Sequence, residues 1–192
     1  MKTLLQTLFF FFLVTQICFA QPVSPSVSQG GWFWQNPLPQ GNALQSVNFI
    51  SADVGWAVGR GGTVLKTTNG GNNWTIQSNE TGYTLHSVSF ANENNGCAVG
   101  IGEIWNDSLR TSTAFGVILS TANGGTTWTK QTFGPFAMLS GVSFTDANNG
   151  WAVGVEWDSL SRGFILHTTN GVTFCSTYLF VPGSSTVCSM NY

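Results

Sequence analysis

The sequence predicts an all-β protein of β-propeller-type blades: about three four-stranded antiparallel units in an incomplete ring. Three observations carry this expectation. Only 7% of the 192 residues are charged, while Gly, Thr, Asn, Trp and Phe are abundant; an average soluble domain carries about 25% charged residues, so this is the composition of a turn-rich β protein. One segment occurs three times, as LQSVNFISADVGWAVG at 44–59, LHSVSFANENNGCAVG at 85–100 and LSGVSFTDANNGWAVG at 139–154. Its spacing, 41 and then 54 residues between Leu44, Leu85 and Leu139, falls at or near the period of a propeller blade, usually about 40 to 50 residues. A flat or solenoid stack of the same units is the other architecture open to this pattern.

Each unit reads as four strands. Leu44, Val47 and Phe49 lie at or near alternate positions, as do Leu85, Val88 and Phe90, and Leu139, Val142 and Phe144, which is the period of a half-buried strand. The GWAVG group forms a second strand with Gly at both ends, VLKTT a third, and the segment from Trp74 or Trp128 a fourth. Turn residues separate the first two strands in every unit. The phrase TTNGGNNW at 67–74 returns as TANGGTTW at 121–128 and, altered, as TTNGVTFC at 168–175, with Cys175 in the place of Trp. Its Thr, Asn and paired Gly suit a tight turn between third and fourth strands. The phrase is punctuation of the fold rather than chemistry.

The units sit in a longer plan. Residues 1–20 have one Lys, an apolar run and a small-residue end at Ala20, the layout of a secretory signal peptide that is removed on export. Residues 21–43 form a lead-in with Trp32, Phe33 and Trp34, followed by blade 1 at 44–82, blade 2 at 83–137, blade 3 at 138–175 and a divergent tail at 176–192. The expected location is secreted, periplasmic or cell-surface, with no membrane span left after cleavage. Export leaves Cys97, Cys175 and Cys188. Cys97 replaces a Trp and reads as a small buried residue, while Cys175 and Cys188 are candidates for a disulfide that staples the tail.

At this point the residues carry a resemblance. The pattern of Thr, Asn, Gly and Trp in the recurrent turn resembles the Asp-box, or bacterial neuraminidase repeat, with Asn69 and Asn123 in place of the usual Asp. The longer stretch GWAVGRGGTVLKTTNGGNNW is similar to blades of the propeller family named after the photosystem II stability and assembly factors. The match covers about residues 32–174, and what it implies is a propeller with a protein-assembly role. In photosynthetic relatives that role is assembly of photosystem II. Propellers of about four to eight blades close a ring, so the expectation is a truncated member, with open blade edges available for self-association.

A ligand site is expected on the face where second and third strands are joined. That join is short at Arg60 but grows into IGEIWNDSLRTSTAFG and VEWDSLSRG in the other units. The two insertions share a theme: Glu103, Trp105, Asp107 and Arg110 against Glu156, Trp157, Asp158 and Arg162. Trp offers a stacking face and Arg a bidentate partner for a carboxylate; the plain alternative is two decorated hairpins with exposed ion pairs worth little. The reading is a non-catalytic module that binds a protein or glycan.

The competing class is an Asp-box glycoside hydrolase of the sialidase kind, for which Arg60, Arg110 and Arg162 stand in as an arginine triad and the carboxylates Glu103, Asp107, Glu156 and Asp158 as the pair needed for glycoside hydrolysis. Against it, Tyr83, Tyr178 and Tyr192 have no suitable carboxylate neighbour in sequence. No nucleic-acid partner is expected, since six scattered cations and a net charge of −2 make no basic stripe. Neither cofactor nor metal is expected: GRGGT lacks the Lys of a phosphate-binding loop, and His86 and His167 have no companions at ligand spacing.

Overall fold

The structure, a computed structural model, describes residues 41–77, 81–107, 110–157 and 162–177. The expected signal, the aromatic lead-in, Asp158 and Cys188 lie outside the described residues. Those described fall within one compact unit, Asn36–Tyr192.

Each repeat folds as a four-stranded antiparallel meander. Blade 1 consists of β1 (Leu44–Phe49), β2 (Gly55–Gly59), β3 (Val64–Thr67) and β4 (Thr75–Ile76). Blade 2 consists of β5 (Thr84–Phe90), β6 (Gly96–Asn106), β7 (Thr111–Thr121) and β8 (Thr129–Pro135). Blade 3 consists of β9 (Ala137–Phe144), β10 (Gly150–Glu156), β11 (Arg162–Thr168) and β12 (Cys175–Thr177).

Both glycines of GWAVG belong to the second strand: the first opens it in every blade, and the second closes it in blade 1 but lies inside it in blades 2 and 3. The first lies under the Phe of the preceding strand: a Cβ on Gly55 would stand 2.7 Å from the Phe49 ring, and one on Gly150 would stand 3.0 Å from Phe144. The second faces the irregularity at the start of the first strand, where a Cβ on Gly59, Gly100 or Gly154 would run into the carbonyl of Ala43, Thr84 or Met138. Close approach, of the Phe ring to the first glycine and of the neighbouring backbone to the second, fixes both rather than a turn.

The recurrent turn is a closed network. Thr67 Oγ1 accepts from Gly71 N–H at 2.9 Å, and Asn69 Oδ1 accepts from Asn73 N–H at 2.9 Å. Blade 2 repeats this with Thr121, Gly125, Asn123 and Thr127. Gly71 and Gly125 have φ of 85° and 94°, which a side chain resists. Blade 3 has lost one residue from the turn, yet Asn170 Oδ1 still accepts from Val172 and Thr173 N–H. Counting across that deletion, Phe174 and not Cys175 takes the place of Trp. Its ring meets Phe144 edge-on at 6.1 Å, as Trp74 meets Phe49 at 6.0 Å and Trp128 meets Phe90 at 6.2 Å. Cys175 instead opens β12 and is disulfide-bonded.

Most of the described core lies between blades. Trp56, Val58 and Val64 of blade 1 pack on Leu85, Val88, Phe90 and Val117 of blade 2. Cys97, Val99 and Ile118 on the opposite face of blade 2 pack on Leu139, Leu166 and Phe174 of blade 3. The alternation of β6 explains this double use, since Ala98 faces one neighbour while Cys97 and Val99 face the other. Burial pushes the Cys97 thiol up to about 12, against weaker lowering by hydrogen bonds from Ser120 and Leu119. First strands are stitched side by side: Phe90 N–H donates to Asn48 Oδ1 at 3.0 Å and Phe144 N–H to Ser89 Oγ at 3.0 Å.

Candidate functional site

The recurrent turns pack on the turns between first and second strands, as Gly70 N–H to Asp53 O, Gly124 N–H to Asn94 O and Gly171 N–H to Asn148 O show. These turns close one face of the blades, and the joins between second and third strands project from the other.

In blade 1 that join is a short 3-10 turn, Arg60–Gly62, with Arg60 exposed. In blade 2 the insertion expected as a loop is mostly hairpin, because β6 and β7 stay in register out to Asn106 and Thr111. Alternation places Glu103 and Trp105 on one side of it, and both are exposed. Asp107 and Arg110 are exposed at its turn, Arg110 with a φ of 52°. In blade 3 Glu156 and Arg162 close the hairpin as cross-strand partners, with Arg162 Nη2 3.8 Å from Glu156 Oε2. The three arginines occupy three separate hairpins, with Arg162 held against Glu156.

The link between blades 2 and 3 adds a residue that sequence reasoning missed. Phe136 is exposed and has a φ of 60°, a conformation that a bulky side chain adopts only under constraint. The constraint is a pair of backbone bonds: Phe136 N–H donates to Ala114 O at 2.6 Å, and Trp157 N–H donates to Phe136 O at 2.7 Å. Phe136 thereby bridges the two hairpins, since Ala114 pairs with Glu103 and Trp157 follows directly on Glu156. The only sequence signal for it is the Gly134–Pro135 pair just before it. Ile104, Trp105, Phe136 and Trp157 are 62%, 60%, 49% and 45% exposed; Trp105 lies on the blade 3 side of its hairpin, and Ile104 on the opposite side.

A groove of about 390 Å³ lies at the blade 1–blade 2 link, between Thr81–Thr84 and Ile101–Glu103 of β6. The Arg60 turn touches it, because Gly62 N–H donates to Tyr83 O at 2.5 Å. Glu103 therefore belongs both to the groove and to the hairpin. His86 lies apart, its Nδ1–H donating to Leu139 O at 3.0 Å across the first strands. His167 stacks on Trp151 at 4.6 Å. Among the described residues no helix is long and apolar enough to cross a membrane.

A family described as photosynthesis system II assembly factor YCF48 matches residues 26–135, more than half of the chain. The chain belongs to this family. A curated relative is the chloroplastic photosystem II stability/assembly factor HCF136 of Oryza sativa subsp. japonica, 36% identical over 63 residues, which are 32% of this chain and 15% of that protein. Among solved structures, YCF48 from Cyanidioschyzon merolae matches at 25% identity with a TM-score of 0.50, over 73% of this chain and 38% of that one. YCF48 bound to a D1 peptide matches at 21% identity with a TM-score of 0.50, over 73% and 41% respectively. These likenesses identify the three sheets as propeller blades. This YCF48-family chain spans about two-fifths of the solved relatives it matches and a smaller part of HCF136.

Proposed function

We propose that this YCF48-family protein is an exported, non-catalytic module that binds a segment of another protein on its hairpin face, in the manner of an assembly factor. The observation that carries the reading is the presence of exposed Trp105, Phe136 and Trp157 on two hairpins that the Phe136 backbone ties together. Aromatic side chains give large contact area at small conformational cost, and exposed apolar sets of this kind mark interaction sites. Arg60, Glu103, Asp107, Arg110, Glu156 and Arg162 supply a mixed polar rim, and Asp158 is assigned to it from sequence. A solved relative of the same fold is described as bound to a D1 peptide, which supports a peptide-like ligand. Export rests on the signal-like residues 1–20 and predicts a mature terminus at Gln21.

Selection of a displayed random-peptide library on the immobilised chain tests the reading. The expected outcome is an enriched peptide whose affinity falls about 30-fold or more in Trp105→Ala and in Trp157→Ala, the loss of a typical aromatic anchor, with circular dichroism unchanged. Equal binding by both variants would remove the aromatic rim from the site. Turnover of a fluorogenic glycoside that disappears in Glu103→Gln or Glu156→Gln would instead establish the hydrolase.

A further inference from the structure

The hairpin of blade 2 has an open edge. β6 runs from Gly96 to Asn106, yet β5 starts only at Thr84, the partner of Ile101, so residues 102–106 pair with β7 alone among the described strands. The reason is local. Ahead of Thr84 the chain turns off the line of β5 at Gly82, whose φ is 57°, and the Gly62 N–H of blade 1 holds the Tyr83 carbonyl. The wedge this opens is the groove lined by Tyr83, Thr84, Ile101 and Glu103.

Hydrogen-bond direction shows what this edge offers. In an antiparallel ladder the N–H and C=O of one residue point to the same side, and the side alternates along the strand. Ala114 O accepts from Phe136 N–H, so Ala114 faces away from β6, and its partner Glu103 faces away from β7. Trp105, two residues on, does the same, as does Ile101, which β5 pairs through Thr84. In blade 1 the matching bond runs from Arg60 N–H to Ala43 O at 2.9 Å. The backbone donors and acceptors of Glu103 and Trp105 are thus aimed out of the sheet edge on the groove side, and both residues are exposed. Between them Ile104 is 62% exposed on the other face. Such an edge is a template for another strand.

We propose that the groove edge of β6 takes an extended segment of another protein as an added strand, antiparallel to β6. This deepens the protein-binding reading of the hairpin face and rests on it. The segment follows the line that the chain leaves at Gly82, in the direction of β5, and its backbone bonds to Glu103 and Trp105. Side chains that face each other across such a pair set the preference. Opposite Glu103, whose carboxylate has no ion-pair partner among the described residues, stands a Lys or Arg. Opposite Ile104, on the other face, stands a β-branched residue, and opposite Trp105 an aromatic one. The segment therefore reads aromatic, β-branched and basic at three successive positions.

Fluorescence anisotropy of a labelled peptide of sequence TYVKVT, amidated at its end, tests it on the purified chain. The expected dissociation constant is about 100 μM or tighter. N-methylation of each peptide residue in turn removes one backbone donor at a time. Loss is expected at alternate residues, about 10-fold or more where the N–H faces β6 and under about 3-fold where it faces away. Glu103→Lys is expected to weaken the peptide by about 5-fold and to favour the peptide in which Glu replaces Lys, with circular dichroism unchanged. Affinity that ignores N-methylation, or falls equally at successive residues, would overturn strand addition while leaving the hairpin face a protein-binding site. Unchanged affinity in Glu103→Lys would overturn the basic position and with it the stated chemistry of the segment. Failure of the folded chain to bind the peptide at about 1 mM would overturn the proposal, and the library selection would still decide the reading beneath it.

Discussion

Between blades 1 and 2 an indole lies flat on a phenyl ring, whereas at the same repeat position between blades 2 and 3 stands the thiol of Cys97. Volume lost at Cys97 is made up from other strands, where Phe133 and Phe164 pack at 4.6 Å in the same cluster. The Phe of the first strand and the glycine beneath it are kept in all three blades. The facing residue is exchangeable because a core tolerates a change of shape when total volume is preserved.

The largest expected effect breaks the first interface. Trp56→Ala removes an indole with no exposed surface and its bond to Gly124, and should cost about 3–5 kcal/mol in denaturant unfolding. Cys97→Ala, at the equivalent place, should cost no more than about 1 kcal/mol. Comparable losses would mean that the second interface is not compensated by its phenylalanines.

Alkaline titration sharpens the contrast. The Cys97 pKa is raised to about 12 from 9.0 by burial, so above pH 9 the unfolded thiol ionises while the folded one does not. The unfolded state then binds fewer protons and stability falls from about pH 9 to about pH 12, by at most ~4 kcal/mol. The parent chain should lose more stability over that range than Cys97→Ala. Parallel curves would mean that Cys97 is not sealed between blades.

The smallest effect is expected at the blade 3 turn. The Asp146 carboxyl is held below its ordinary value by the Asn149 side chain and the backbone of Asn148 and Asn149. Its contribution is present above the ordinary carboxylate range and is lost as pH falls through the lowered value. Asn92 accepts the same two backbone bonds in blade 2. Asp146→Asn should therefore leave stability at neutral pH nearly unchanged and flatten the acid limb of the pH–stability curve; a large loss at neutral pH would show that the charge itself matters.

What the sequence alone determined is local. Period-two strands and the Thr, Asn and Gly of the turn act over a few residues, so they are legible in any one repeat, and three repeats settle the blade. The hairpin Trp105 and Trp157 are legible as candidates for the same reason, as apolar residues inside polar insertions. Tertiary structure decided the rest. Phe136 joins the candidate site only because Ala114 of β7 and Trp157, just after β10, grip its backbone from two sides. Phe174 takes the role of Trp only because a shortened turn still reaches Phe144. Trp56 and Trp151 share one motif, yet one is sealed and the other open. Burial of a blade face depends on whichever sheet stands next to it, and a motif within one blade does not encode its neighbour.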